Sequence, residues 1–140
     1  MKCVLDASVA LKWVFQETDS VKARQVRDDY QQGTHELLAP DIFTIEVAHV
    51  LSKAHRTNQI TAQRAEADLA SIIADLPQLF PAVTLLPRAF EISLQVRMGV
   101  YDCFYIALSE VEQCALLTAD QRMITNLQGQ FPQIVSLSTL

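Results

Sequence analysis

Positive charge is what this chain has too little of. Eleven lysines and arginines stand against sixteen aspartates and glutamates, a net charge of −5. That excludes a nucleic-acid binder working through overall positive charge, but not an enzyme that meets a polyanion locally through metal ions. Cysteine is also scarce. Cys3, Cys103 and Cys114 are odd in number and form no CxxC pair, which argues against a disulfide framework or a zinc site and for buried, reduced thiols. No apolar run approaches membrane-spanning length, and Asp6 interrupts the apolar start before it could act as a signal peptide. A soluble, cytoplasmic protein without a membrane partner is the expectation. Repeats, low-complexity tracts and linkers are missing too, and the three glycines and five prolines are scattered as punctuation. What remains is 140 residues, half of them apolar, which fits one domain over residues 1–140 with a core of its own.

Short apolar runs alternate with longer segments of helical period. Val4-Leu5, Leu37-Leu38-Ala39, Val83-Thr84-Leu85-Leu86, Ala115-Leu116-Leu117 and Ile134-Val135 read as strands, near-continuous in apolar character as strands covered on both faces should be. Between them, Ala23, Val26 and Tyr30 mark a helix that Gly33 closes, and Phe43, Val47, Val50, Leu51 and Ala54 stripe a second. A third runs from Ala62 to Leu76 and stops at Pro77; a fourth spans Arg88 to Met98 and ends at Gly99. Phe104, Ala107, Leu108 and Val111 show another, and a short one follows Asp120. The alternation predicts an α/β fold of three layers, α/β/α, with a five-stranded parallel sheet and a helical hairpin inserted between the second and third strands. In such sheets ligands bind beyond the carboxyl ends of the strands, where the strand order reverses.

Four acids fall where that edge should be. Asp6 ends the first strand and Asp120 follows the fourth, and each also fits an N-cap of the next helix. Asp102 opens the helix carrying Phe104 and Leu108, where a carboxylate favours the helix dipole. Glu46 is mid-helix with Ile42 four residues before it and Val50 four after, so a charge on that seam needs a partner. Together the four argue better than singly. Converging carboxylates repel, their pKa values rise, and hard dications such as Mg²⁺ or Mn²⁺ remove the penalty. Metals so held activate water and neutralise a scissile phosphate. Ser8 and Thr118 are placed to orient the carboxylates or a bound water.

At these residues the chain resembles the PIN-domain endoribonucleases, specifically the VapC-type toxins of toxin–antitoxin pairs. The resemblance runs through Val4-Leu5-Asp6-Ala7-Ser8-Val9 with Lys12-Trp13, then Ala39-Pro40-Asp41 leading to Glu46-Val47 and Val50-Leu51. Tyr101-Asp102-Cys103-Phe104-Tyr105-Ile106-Ala107-Leu108 and Leu117-Thr118-Ala119-Asp120 complete it. It implies a PIN-like fold, Mg²⁺- or Mn²⁺-dependent cleavage of RNA, a homodimer or larger homo-oligomer, and inhibition by a cognate antitoxin protein. By position, Asp6, Glu46, Asp102 and Asp120 match that family's metal-binding, catalytic acids. Some members carry a further acid shortly after the fourth; here Met123 and Ile124 occupy that stretch. Asp41, in the Pro-Asp signature, reads as the N-cap of the helix bearing Glu46.

An acidic site needs a basic rim to attract RNA, and Lys12, Arg97 and Arg122 are the candidates. Lys53 and Arg56 rank lower, about two turns or more beyond Glu46. His35, His49 and His55 form no spaced metal motif. Trp13, Tyr101 and Tyr105 are candidates for base stacking, with packing the weightier reading for each. An aspartyl-phosphate phosphatase wants Asp where Ser8 stands, a receiver domain wants an acidic pair before its strand-end Asp, and a DxSxS adhesion motif fails at Ala10. The serious alternative is a catalytically weak PIN domain that works as an RNA- or protein-binding module.

Overall fold

The computed structural model describes all residues, Met1–Leu140. Its centre is two short apolar strands, β1 (Lys2–Leu5) and β4 (Ala115–Thr118), paired in parallel with Val4 beside Leu116. β2 (Glu36–Pro40) and β3 (Gln78–Phe80) extend the sheet on one side and β5 (Ile134–Ser136) on the other, giving the order β3-β2-β1-β4-β5, all parallel. Cys3, Val4, Leu5, Leu37, Leu38, Ala39, Leu116 and Leu117 are all buried, so both faces are covered, as the unbroken apolar runs require.

Seven helices supply that cover: α1 (Ala7–Leu11), α2 (Ser20–Gln31), α3 (Ile42–Arg56), α4 (Ala62–Ile73), α5 (Ala82–Val96), α6 (Val100–Glu112) and α7 (Gln121–Leu127). Because the strand order reverses between β1 and β4, right-handed crossovers put α1–α4 on one face and α5–α7 on the other. Contacts agree with that division. The Trp13 indole N–H donates to the Ala23 carbonyl (3.0 Å), and Arg27 lies over the ring, 5.2 Å from its centre. Arg27 also donates to Asp75 (2.7 Å), which ties α2 to the end of α4. Trp13 is therefore a packing residue. On the other face Arg88 of α5 donates to both carboxylate oxygens of Glu110 on α6, at 2.8 and 3.0 Å.

The helical hairpin is α3 and α4, and it lies between β2 and β3 as expected. The third strand itself is not where the apolar run put it. Val83-Thr84-Leu85-Leu86 is the start of α5, and the strand is the preceding Gln78–Phe80. Pro81, at the N-cap, separates the two. Leu85, Ala89 and Ile92 are buried at helical spacing, while Val83 and Leu86 face outward, so the run is the apolar rim of a helix rather than a covered strand. Pro87 stands inside the helix, where it denies the Val83 carbonyl its amide. The same helix ends with Arg97 in the left-handed region (φ 58°), two residues before Gly99. Gly33 does close α2 with positive φ (78°). Cys3 and Cys103 are buried free thiols, pushed by burial to about 12 and about 11 respectively, and hence inert.

Candidate active site at the carboxyl edge of the sheet

β1 and β4 end side by side at the point where strand order reverses, and the Asp6 amide extends their pairing by donating to the Leu117 carbonyl (3.0 Å). Asp6 is thereby fixed at the carboxyl edge and is 5% exposed. Its carboxylate does not cap α1. Instead the Ser8 hydroxyl (2.6 Å) and the Thr118 hydroxyl (2.8 Å) both donate to Oδ2. Each hydroxyl in turn accepts a backbone amide from the turn after β4, Ser8 from Ala119 and Thr118 from Asp120, both at 3.0 Å. The two hydroxyls stitch the strand ends together and hold one oxygen of the Asp6 carboxylate.

Asp120 caps α7, accepting the Arg122 amide (2.9 Å). Asp102 lies in the first turn of α6, and Glu46 in the second turn of α3. The partner that Glu46 needed is Tyr105, whose hydroxyl donates to Oε1 at 2.7 Å. Tyr105 is fully buried, one turn along α6 from Asp102, so one helix supplies an acid and the anchor of another. Its packing role was legible and its tie to Glu46 was not; the i, i+3 spacing from Asp102 was the available signal.

The acids feel one another. Burial raises the carboxyl of Glu46 to about 7, opposed by the Tyr105 hydroxyl and reinforced by the charges of Asp6 and Asp102. Burial likewise raises Asp102 to about 6, with Asp6 and Asp120 adding to the rise and Arg122 opposing it. Asp6 is raised first by burial, against the two hydroxyls, and further by Asp120. Four negative groups from four segments thus share one electrostatic neighbourhood. No three of them converge closely enough to form a ready-made chelate. Their donor set is all carboxylate oxygen, the chemistry a hard dication takes, and their mutual repulsion is the penalty such an ion would lift.

Around the acids the basic candidates separate. Arg122 lines a cleft of about 490 Å³ with Glu46, Asp102, His49 and Tyr101. Lys12 lines a second cleft, of about 620 Å³, on the Ser8 side. Arg97 caps α5 and lines neither. Asp41 occupies the N-cap position of α3 but does not cap it; its carboxylate accepts the Ala82 amide at the start of α5 (3.0 Å). The Pro-Asp turn puts β2 and β3 side by side, with the Asp41 amide donating to the Phe80 carbonyl (2.8 Å), and that draws the side chain to the neighbouring helix.

A PIN-domain family profile matches residues 3–127. Ribonuclease VapC9 of Mycobacterium tuberculosis is 30% identical over 129 residues, 92% of this chain and 94% of that one. Among solved structures, PAE2754 from Pyrobaculum aerophilum superposes with a TM-score of 0.72 at 15% identity, covering 99% of this chain and 85% of its own. A toxin–antitoxin complex from Klebsiella pneumoniae contains a chain that superposes with a TM-score of 0.61, again at 15% identity, over 96% of this chain and 97% of that one.

Proposed function

The chain belongs to the PIN-domain family, among its VapC ribonucleases, and on that premise we propose that it is a Mg²⁺- or Mn²⁺-dependent endoribonuclease, the toxin of a toxin–antitoxin pair. The observation that carries the reading is the coupled set Asp6, Glu46, Asp102 and Asp120 at the sheet's switch point. Asp6, Asp102 and Asp120 would hold the ion, with Glu46 meeting it directly or through water. Bound there, the ion supplies charge neutralisation for the scissile phosphate and acidifies a water. The chain's own residues do the rest. Ser8 and Thr118 hold Asp6 in one orientation, so ion binding costs little side-chain ordering at that ligand. Tyr105 anchors Oε1 of Glu46 and leaves Oε2 for the ion or its water. Arg122 and Lys12 flank the acids and draw the phosphate backbone toward them.

One continuous core of 33 buried residues, from Cys3 to Leu137, supports reading residues 1–140 as a single nuclease domain. No helix is long and apolar enough to cross a membrane, and a cytoplasmic site of action belongs to the same proposal. The cognate partner is an antitoxin protein, a reading supported by the toxin–antitoxin complex among the structural neighbours. A homodimer completes the picture. Val83, Leu86, Phe90 and Leu94 form an outward stripe on α5, each at least 45% exposed, that a second copy of the chain would cover.

The test is cleavage of total RNA by purified protein with Mg²⁺ or Mn²⁺, antitoxin removed. Asp6→Asn should fold normally and lose cleavage by about a hundredfold or more. Equal cleavage by wild type and Asp6→Asn, or by wild type in EDTA, would overturn the proposal. Tight RNA binding without any cleavage would instead identify a binding module.

A further inference from the structure

The four acids differ in how much of each carboxylate the chain has already taken. Both lone-pair directions of Asp6 Oδ2 are filled, by the hydroxyl protons of Ser8 (2.6 Å) and Thr118 (2.8 Å). The Ala119 and Asp120 amides hold those hydroxyls in turn, so the arrangement is braced from the turn after β4. Oε1 of Glu46 accepts the Tyr105 hydroxyl, and Oδ1 of Asp120 accepts the Arg122 amide. Three of the acids therefore offer an ion one wholly free oxygen each. Asp102 accepts no hydrogen bond, and only burial and neighbouring charges act on it. Beside it stands Arg122, which lines the same cleft as Glu46 and Asp102. Arg27, Arg64 and Arg88 are each tied to a carboxylate, whereas the exposed Arg122 guanidinium forms no ion pair. The next two residues of α7 belong to the core: Met123 is fully buried and Ile124 is partly buried against it.

We propose that the site takes a single dication, and that the Arg122 guanidinium stands where a second ion would otherwise neutralise the phosphate. The proposal rests on the nuclease reading and fixes how many ions that reading uses. Two ions that share a phosphodiester sit about 3.5–4 Å apart, held together by a carboxylate with one oxygen on each. Asp6, 5% exposed where β1 and β4 end, is the central acid, and with Oδ2 filled it cannot bridge a pair in that way. Asp102 is the one carboxylate with two free oxygens. An ion on its cleft side would lie against Arg122, cation against cation, and α7 supplies no further acid to offset the repulsion. A guanidinium suits the vacancy better. It carries its charge without a ligand shell and presents parallel N–H donors that fit two phosphate oxygens.

The probe is Mn²⁺ alone, titrated into the purified full chain above neutral pH, with free ion counted by electron paramagnetic resonance. Wild type should bind one equivalent, and the bound spectrum should lack the spin coupling of a manganese pair about 3.5–4 Å apart. Arg122→Gln should hold its first ion about threefold or more tightly, because a neighbouring cation is gone. The same variant should cleave RNA about tenfold or more slowly, because the phosphate has lost a charged partner. Arg122→Lys should bring both quantities back toward wild type. Tighter metal with slower cleavage is a pairing that a merely structural arginine does not produce, since loosening the site weakens both. Two equivalents or a coupled spectrum in wild type would overturn the single-ion assignment and leave the nuclease reading standing. Unchanged or weaker Mn²⁺ binding in Arg122→Gln, or undiminished cleavage, would remove Arg122 from the role. A wild-type chain that binds no Mn²⁺ would remove the nuclease reading itself, and this inference with it.

Discussion

Glu46 and Asp102 carry the clearest electrostatic signature of the site, and it converts into a stability curve. Glu46 moves from an ordinary 4.5 to about 7 on folding, and Asp102 from 3.8 to about 6. Both therefore bind more protons in the folded chain than in the unfolded one across that interval. The stability tied to their protonated forms is fully present below about pH 4 and is lost as pH climbs to about 7. In EDTA, the Tm should accordingly fall between about pH 5 and about pH 7.5, and Mg²⁺ or Mn²⁺ should recover more of it at the higher pH, where the ligands are ionised. Calorimetry at the two pH values decides. A Tm that is level or rising in chelator would mean that the acids do not strain the fold. Single residues were only partly legible. The four acids stand out because Asp6 and Asp120 follow strands, Asp102 opens a helix and Glu46 interrupts an apolar seam. The Tyr105 hydroxyl does not, since a tyrosine among Phe104, Ile106 and Leu108 looks like packing until its hydroxyl is seen against Glu46.

Elements were read well where period and punctuation agreed and poorly where they conflicted. β1, β2, β4 and β5 are unbroken apolar runs, and α2, α3, α4 and α6 have stripes at helical spacing, so these were visible. β3 was not. It is a three-residue edge strand, largely exposed, and no apolar run marks it, while the β-branched and leucine-rich start of α5 imitates a buried strand. Pro81 and Pro87 compounded the confusion by bracketing that segment. Asp41 shows how tertiary pairing diverts a cap: its position belongs to α3, and its hydrogen bond belongs to α5. Asp41→Ala should therefore cost about 0.5–1 kcal/mol by loosening the start of α5. Urea denaturation measures the cost, and hydrogen exchange assigns it. Faster exchange at Ala82–Leu85, with α3 unchanged, is the expected pattern. Loosening confined to Phe43–Ile45 would contradict it.

At the scale of the whole molecule, charge and shape divide the work. Under the proposed function, a chain of net charge −5 needs local cations to meet RNA, and Lys12, Lys53 and Arg122 line the clefts beside the acids. The outward α5 stripe lies on the face of the sheet opposite α1–α4, which carry the lysine cleft, so a dimer formed through it leaves that cleft open. Phe90→Glu should convert the dimer to a monomer in light scattering, from twice 15.7 kDa to 15.7 kDa. A wild-type chain that is already monomeric at tens of micromolar, or a variant that still dimerises, would remove α5 as the interface.

The most direct measurement is an anomalous difference map from crystals grown with Mn²⁺ at neutral pH or above. The account places a peak within coordination distance, about 2.0–2.2 Å, of carboxylate oxygens from Asp6, Asp102 and Asp120, with Glu46 a ligand or one water away. A map without density between those residues, or with manganese bound only elsewhere on the chain, would contradict it.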